Sequence, residues 1–147
     1  MKRFWLASAF SVAAGAASVL GYWAQQRELP VQSKVIEVVG PAHPGGKVLV
    51  RWAVYRDSSC ATTKQELAID VNGLRWVLKA IYYKQAMGPM GFDNFVSQTE
   101  LPADIPTGEA RLRVSLAYVC NPLHTIWPVI NQVPDIPFTI TPRPKVS

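Results

Sequence analysis

The chain has 147 residues, 49% of them hydrophobic and 10% aromatic, which is enough apolar material to bury the core of one domain and too much for a disordered tail. The formal charge is +5, or +3 once Lys2 and Arg3 at the N-terminus are set aside. So weak and scattered an excess does not make a nucleic-acid footprint, which needs a dense Lys/Arg stripe, and it reads as a solvated basic surface.

The first segment, Phe4–Trp23 (FWLASAFSVAAGAASVLGYW), contains no charged residue. At about 1.5 Å per residue it is just long enough to cross a bilayer core of about 30 Å. Trp5 near one end and Tyr22-Trp23 at the other have the aromatic-belt placement of a spanning helix, and Lys2 with Arg3 sets the N-terminus in the cytoplasm. The expectation is a transmembrane anchor over residues 1–23, with the remainder periplasmic or extracellular. The competing reading is a signal peptide cut after Ala16, because Ala14-Gly15-Ala16 has the form of a cleavage site; the apolar run nevertheless continues through Val19 and Leu20. Small residues four apart, Ser11 with Gly15 and Ala17 with Gly21, would let two such helices approach as a homodimer, although an alanine-rich segment produces the same spacing by composition.

Residues 24–33 read as a polar tether, after which the pattern changes to period two. Lys34–Val39 is a first strand, followed by turn chemistry from Gly40 to Gly46. Lys47–Tyr55 is the clearest strand, with Val48, Val50, Trp52 and Val54 on one face. Glu66–Val71 places Leu67, Ile69 and Val71 together, Asn72-Gly73 has the residue types of a type I′ turn, and Leu74–Ile81 runs back. The stretch Lys84–Asn94 is broken by Gly88-Pro89 and Gly91 and reads as an irregular loop; Phe95–Leu101 is extended again. Arg111–Cys120 alternates with Leu112, Val114, Leu116, Tyr118 and Cys120 inward, Asn121–Pro128 is a loop, and Ile136–Thr141 is a last strand before a tail over residues 142–147.

The sequence contains no catalytic or cofactor motif. There is no P-loop, no dinucleotide fingerprint and no G-x-S-x-G elbow around Ser58-Ser59. His124 and Cys120 have a ligand-like spacing, but structural zinc needs about four ligands, and a lone loop histidine is expected to be solvated. Asp57, Asp70, Asp93 and Asp104 fall in turns, where short carboxylates bind the backbone. The expected class is therefore a non-enzymatic binding or scaffolding module, with no metal or cofactor; a hydrolase with an unrecognised site is a distant alternative. Two loops are candidate contact surfaces for a protein partner in the cell envelope: Lys84–Asn94, carrying Met87, Met90 and Phe92, and Asn121–Pro128, carrying Leu123, His124, Ile126 and Trp127. Their apolar residues would equally serve to cover the ends of a sandwich. Cys60 and Cys120 are expected to form a disulfide once exported, because a lone pair of thiols oxidises outside the cytoplasm.

Seven or eight short strands with regularly spaced turns describe an all-β antiparallel sandwich over residues 34–141. The strand set, the approach through Gly108 to a long strand, and Tyr118-Val119-Cys120 resemble the immunoglobulin and fibronectin-type-III superfold. The short chain with its basic-apolar start is also similar to short bitopic envelope proteins of bacteria and phages. The superfold resemblance implies that Cys60 and Cys120 meet at one pole, at the ends of two strands that run the same way. It also implies that this pole, with Asn121–Pro128, faces the membrane, with Leu123, Ile126 and Trp127 packing under the disulfide in preference to resting on headgroups. Trp52 is the candidate core tryptophan. A wholly released secreted or virion-surface sandwich is the alternative if the first segment is cleaved.

Overall fold

The computed structural model describes residues 2–86 and 88–143, with side chains from residue 11 onward. Met1, Met87 and residues 144–147 lie outside it, so the candidate contact at Met87 and most of the expected tail fall outside the described residues. A helix, α1 (Lys2–Gln25), precedes nine strands: β1 (Val31–Val38), β2 (Lys47–Arg56), β3 (Ala61–Ile69), β4 (Arg75–Val77), β5 (Ile81–Tyr83), β6 (Gly91–Glu100), β7 (Gly108–Val119), β8 (Val129–Gln132) and β9 (Ile136–Ile140). A 3₁₀ turn, Pro122–Thr125, lies between β7 and β8.

All strand pairs are antiparallel, and they form two sheets. The first has the order β1-β2-β6. In the second, β3 and β7 are central; β4 and β5 share the outer side of β3, while β8 and β9 share the outer side of β7. Both edges of the second sheet are thus single strands broken in two. At each break a backbone bond carries the pairing across, from the Leu78 N–H to the Glu66 carbonyl and from the Val133 N–H to the Val114 carbonyl, both at 3.0 Å.

Strand alternation explains which residues fill the space between the sheets. Val48, Val50, Trp52 and Val54 of β2 are buried against Ala110, Leu112 and Val114 of β7, joined by Leu101, Ile105, Phe138 and Ile140. Each such aliphatic side chain contributes about 1.5–3 kcal/mol by leaving water. Trp52 is the core tryptophan, its indole donating to Ser97 Oγ at 2.8 Å.

Several expected boundaries move. β1 begins at Val31, inside the expected tether, and β6 begins at Gly91, inside the expected irregular loop. The β3–β4 turn is not type I′: among the described residues no non-glycine has a positive φ, so Asn72 lacks one, and within this turn only Gly73 supplies one, at 79°. The turn is organised instead by Asp70, whose Oδ1 accepts from the Asn72 and Leu74 N–H groups at 2.8 and 2.9 Å and whose Oδ2 accepts from the Trp76 indole at 2.9 Å. The faces of β3 are also reversed. Ala68 and Glu66 are buried, whereas Leu67 and Ile69 lie on the outer face and Val71 is exposed. Finally, among the described residues no helix is long and apolar enough to cross a membrane, so the expected span finds no support in the fold. Ser11 and Gly15 lie on α1, with open space around Gly15.

Candidate functional site

The buried core fills only one half of the sandwich. Toward the end of β2 and the start of β3 the sheets separate around a cleft of about 310 Å³ that reaches the strand edges at β5 and β6. Its walls are aliphatic and aromatic: Val31, Val54, Ile81, Phe95, Val114 and Leu116. Into this apolar space the strand alternation delivers polar side chains. Arg56 is the last inward residue of β2, and Thr62 and Lys64 are the first inward residues of β3, followed by buried Glu66.

These charges are fixed in pairs. Arg56, only 5% exposed, donates from Nη1 to Asp93 Oδ2 at 2.9 Å and to the Pro89 carbonyl at 3.3 Å. Gly88 makes this closure feasible: it has φ 90°, and a Cβ there would stand 2.9 Å from Asp93 Oδ2 and 3.2 Å from the Arg56 guanidinium carbon. On the facing sheet, Lys64 Nζ sits 2.7 Å from Glu66 Oε1, which also accepts from Thr99 Oγ at 2.9 Å. Each pair has one buried partner, Arg56 or Glu66, and one half-buried partner, Asp93 or Lys64, so the buried charge depends on its partner and its extra hydrogen bonds to offset desolvation. Burial, and then the Glu66 charge, raises the pKa of the Tyr83 phenol beside them, which keeps it a neutral donor. Ser33 Oγ is buried without a hydrogen-bond partner and also lines the cleft.

Below the cleft is the cysteine pole. Cys60 immediately precedes β3 and Cys120 immediately follows β7, where Ala61 opposes Val119 in the ladder. The disulfide joins them with Cα atoms 4.6 Å apart, close to the spacing of an antiparallel non-hydrogen-bonded pair. The expected bond is present at one pole, where β2 and β7 both end: Cys60 follows β2 and Cys120 directly follows β7. Because Cys60 also directly precedes β3, the bond continues the antiparallel β3–β7 ladder within one sheet. Tyr118, 1% exposed, packs beneath it with Val129; burial pushes its phenol up to about 12, offset in part by a hydrogen bond with Asn131.

No family model matches the chain, and no curated protein matches it in sequence. It is similar in structure to a late embryogenesis abundant (LEA) protein, with TM-score 0.48 and 10% identity over 90% of this chain and 81% of that one. It is also similar to the sporulation control protein Spo0M of Bacillus subtilis, with TM-score 0.42 and 12% identity over 75% of this chain and 48% of that one, about half its length. Neither likeness assigns the chain to a family.

The candidate contact residues scatter around this frame. His124, expected in solvent, is buried at 1% exposure: its Nδ1 faces the Cys120 N–H at 3.3 Å and its Nε2 faces the Asn121 side-chain amide at 3.3 Å. Asn121 in turn caps the 3₁₀ turn, Oδ1 accepting from the His124 N–H. Ile126 and Trp127 do not pack under the disulfide; they are 83% and 53% exposed, and Leu123 is half-buried. Trp127 is stacked by Arg27, whose guanidinium carbon lies 4.0 Å from the ring centroid. Arg27 also donates to the Trp127 and Pro128 carbonyls at 3.4 and 3.2 Å, and the Asn121 amide donates to the Trp23 carbonyl and Gln26 Oε1. The end of α1 is therefore fastened to the cysteine pole. Phe92 belongs to strand β6 and not to a loop; it is 87% exposed, its ring 4.7 Å from that of Tyr55, and Met90 is half-exposed.

Sequence reading passed over the cleft because Ala61–Gln65 (ATTKQ) has no apolar alternation to declare a strand. The available signal was Cys60 itself: a disulfide to the end of the Arg111–Cys120 strand sets the pairing register, and that register turns Thr62, Lys64 and Glu66 inward. Among the described residues no three His, Cys, Asp or Glu side chains converge as a metal would require.

Proposed function

We propose that this chain is a non-enzymatic binding module of the cell envelope, an exported immunoglobulin-like sandwich held at the membrane by its N-terminal segment. The observation that carries the reading is the junction at the cysteine pole, where Arg27, Trp127, Asn121 and Trp23 interlock. A domain tethered there turns this pole, with exposed Ile126 and Trp127, toward the lipid, where an indole and an aliphatic chain beside an arginine suit the headgroup layer. The anchor itself is read from the whole of Phe4–Trp23, part of whose side chains lie outside the described residues. The disulfide supports an oxidising compartment. The immunoglobulin-like subclass is supported by strand order: with each broken strand counted as one, the first, second and fifth share a sheet, and the third, fourth, sixth and seventh share the other, so the fourth lies beside the third and not with the first sheet as in constant-type domains. The binding role is supported by the cleft, whose polar inward residues break the apolar pattern that packing alone would select.

Intact mass and extraction of the exported protein test this reading. Full-length chain that leaves the membrane only with detergent is expected. Loss of the first sixteen or so residues with release of the domain would overturn the anchored form and favour the secreted one. Cross-linking in intact cells reads out envelope partners and the Ser11–Gly15 homodimer.

A further inference from the structure

We infer that the cleft between the sheets binds a single-chain amphiphile, its aliphatic tail between β1-β2-β6 and β3-β7 and its anionic head at Arg56 and Lys64. The inference rests on the binding-module reading, and it names the ligand class of the cleft.

Three observations converge. First, the walls are chiefly apolar, aliphatic and aromatic side chains together, and about 310 Å³ lies at the small end of the 300–1,000 Å³ typical of ligand pockets. That suits one flexible chain better than a two-chain lipid. Second, the charged side chains that line the cleft are both cationic. Their carboxylate partners, Asp93 and Glu66, stand outside the lining, so the surface offered to a ligand is positive although each pair is neutral as a whole. A carboxylate or phosphate head joins these cations as a further partner through charge-assisted hydrogen bonds. Third, Ser33 lines the same wall one inward position from the Val31–Arg56 pair, and its hydroxyl has no hydrogen-bond partner among the described residues. An unmet hydroxyl costs about 1–3 kcal/mol, and the polar head, not the tail, is the part of the ligand that satisfies it once the hydroxyl turns toward the cleft. The far half of the sandwich, from Val48 to Ile140, is closed by packed apolar side chains and shows no such combination.

The test uses the full chain in lipid nanodiscs and three photoactivatable twelve-carbon probes that carry a diazirine on the tail. Their heads are carboxylate, alcohol and trimethylammonium, and empty nanodiscs serve as the background. Expected is carboxylate-probe labelling of peptides that contain Val31, Val54 or Phe95, displaced by unlabelled dodecanoate. The alcohol should label about tenfold less at equal concentration, as the loss of one or two charge-assisted bonds predicts, and the ammonium least. Leu116→Trp, which fills the cleft, should abolish the labelling, and Lys64→Met should reduce it for the carboxylate probe alone. Equal labelling by the three heads, labelling confined to α1, or no labelling of the wild-type chain would overturn the inference, and the wild-type comparison stands whether or not the variants fold. A chain that fails to label yet still cross-links to envelope partners loses the ligand and keeps the binding-module reading; one that does neither loses both.

Discussion

Asp70 holds more of its turn than any other single side chain, because one carboxylate takes two backbone N–H groups and the Trp76 indole. The indole bond, followed by the backbone donors, lowers its pKa below the ordinary 3.8 against an opposing effect of burial. Asp135 is lowered as well, by the Arg113 guanidinium that grips it through two 2.8 Å bonds. A carboxylate with a depressed folded pKa stabilises the fold above its unfolded pKa, and the contribution disappears as pH falls through the folded value. The urea midpoint should therefore hold between pH 7 and 5 and drop as pH falls below about 4. Asp70→Asn should start from a lower midpoint and lose less of it on acidification. An equal acid response in the variant would show that the turn contributes nothing to pH sensitivity.

At the scale of the strand, β3 is the element whose sequence and setting disagree. A central strand of a sheet packed on another sheet is expected to turn apolar residues inward, yet β3 turns Thr62, Lys64 and Glu66 inward and Leu67 and Ile69 outward. Glu66 is 4% exposed in its side chain and neutralises a lysine that is 13% exposed. Glu66→Ala leaves Lys64 without its carboxylate and should cost about 3 kcal/mol, read from urea unfolding. The double replacement Lys64→Met with Glu66→Leu should cost less than Glu66→Ala alone, because removing both charges also removes their desolvation penalty. This mismatch marks the limit of what the sequence disclosed. β2 and β7 were legible because Val48 to Val54 and Leu112 to Tyr118 alternate without interruption. β3 was misread because its apolar alternation belongs to the outer face. β8 and the start of β6 were missed because Pro128, Gly88-Pro89 and Gly91 have turn chemistry that pairing with a neighbouring strand overrides.

Across the molecule, the disulfide closes 60 residues of chain and ties the two central strands of the larger sheet at the end where the cleft would otherwise splay open. Such a loop restricts the unfolded chain by about 4 kcal/mol in the chain-entropy model. The Cys60→Ser/Cys120→Ser variant should lose stability of that order in urea. Its backbone amides in Ala61–Lys64 and Leu116–Val119 should exchange with solvent faster than those near Leu112. Uniform acceleration over the whole sandwich would show that the staple acts only on the unfolded state. The pairing of the cysteines was legible from compartment logic, but their place in one sheet was not, because it depends on where β3 begins. The buried His124 and exposed Trp127 were hidden for a related reason: a 3₁₀ turn capped by Asn121 decides which side of the loop meets the protein.

The broken edges of the second sheet have a consequence for how copies of this chain behave when crowded. Short interrupted strands such as β4, β5, β8 and β9 offer a neighbour too little continuous backbone to extend. β1 carries a bulge between Val35 and Glu37 and the charge of Lys34, which also discourages pairing. β6 is different: ten residues without proline, lysine or a register shift, bordered on one side by β2 and carrying exposed Phe92 and Val96. Self-association at high concentration should therefore begin at one rim of the smaller sheet and join β6 to β6 across a twofold axis, giving closed pairs before fibrils. Val96→Lys should raise the concentration at which light scattering appears, while the same change at Val77 on β4 should leave it where it was.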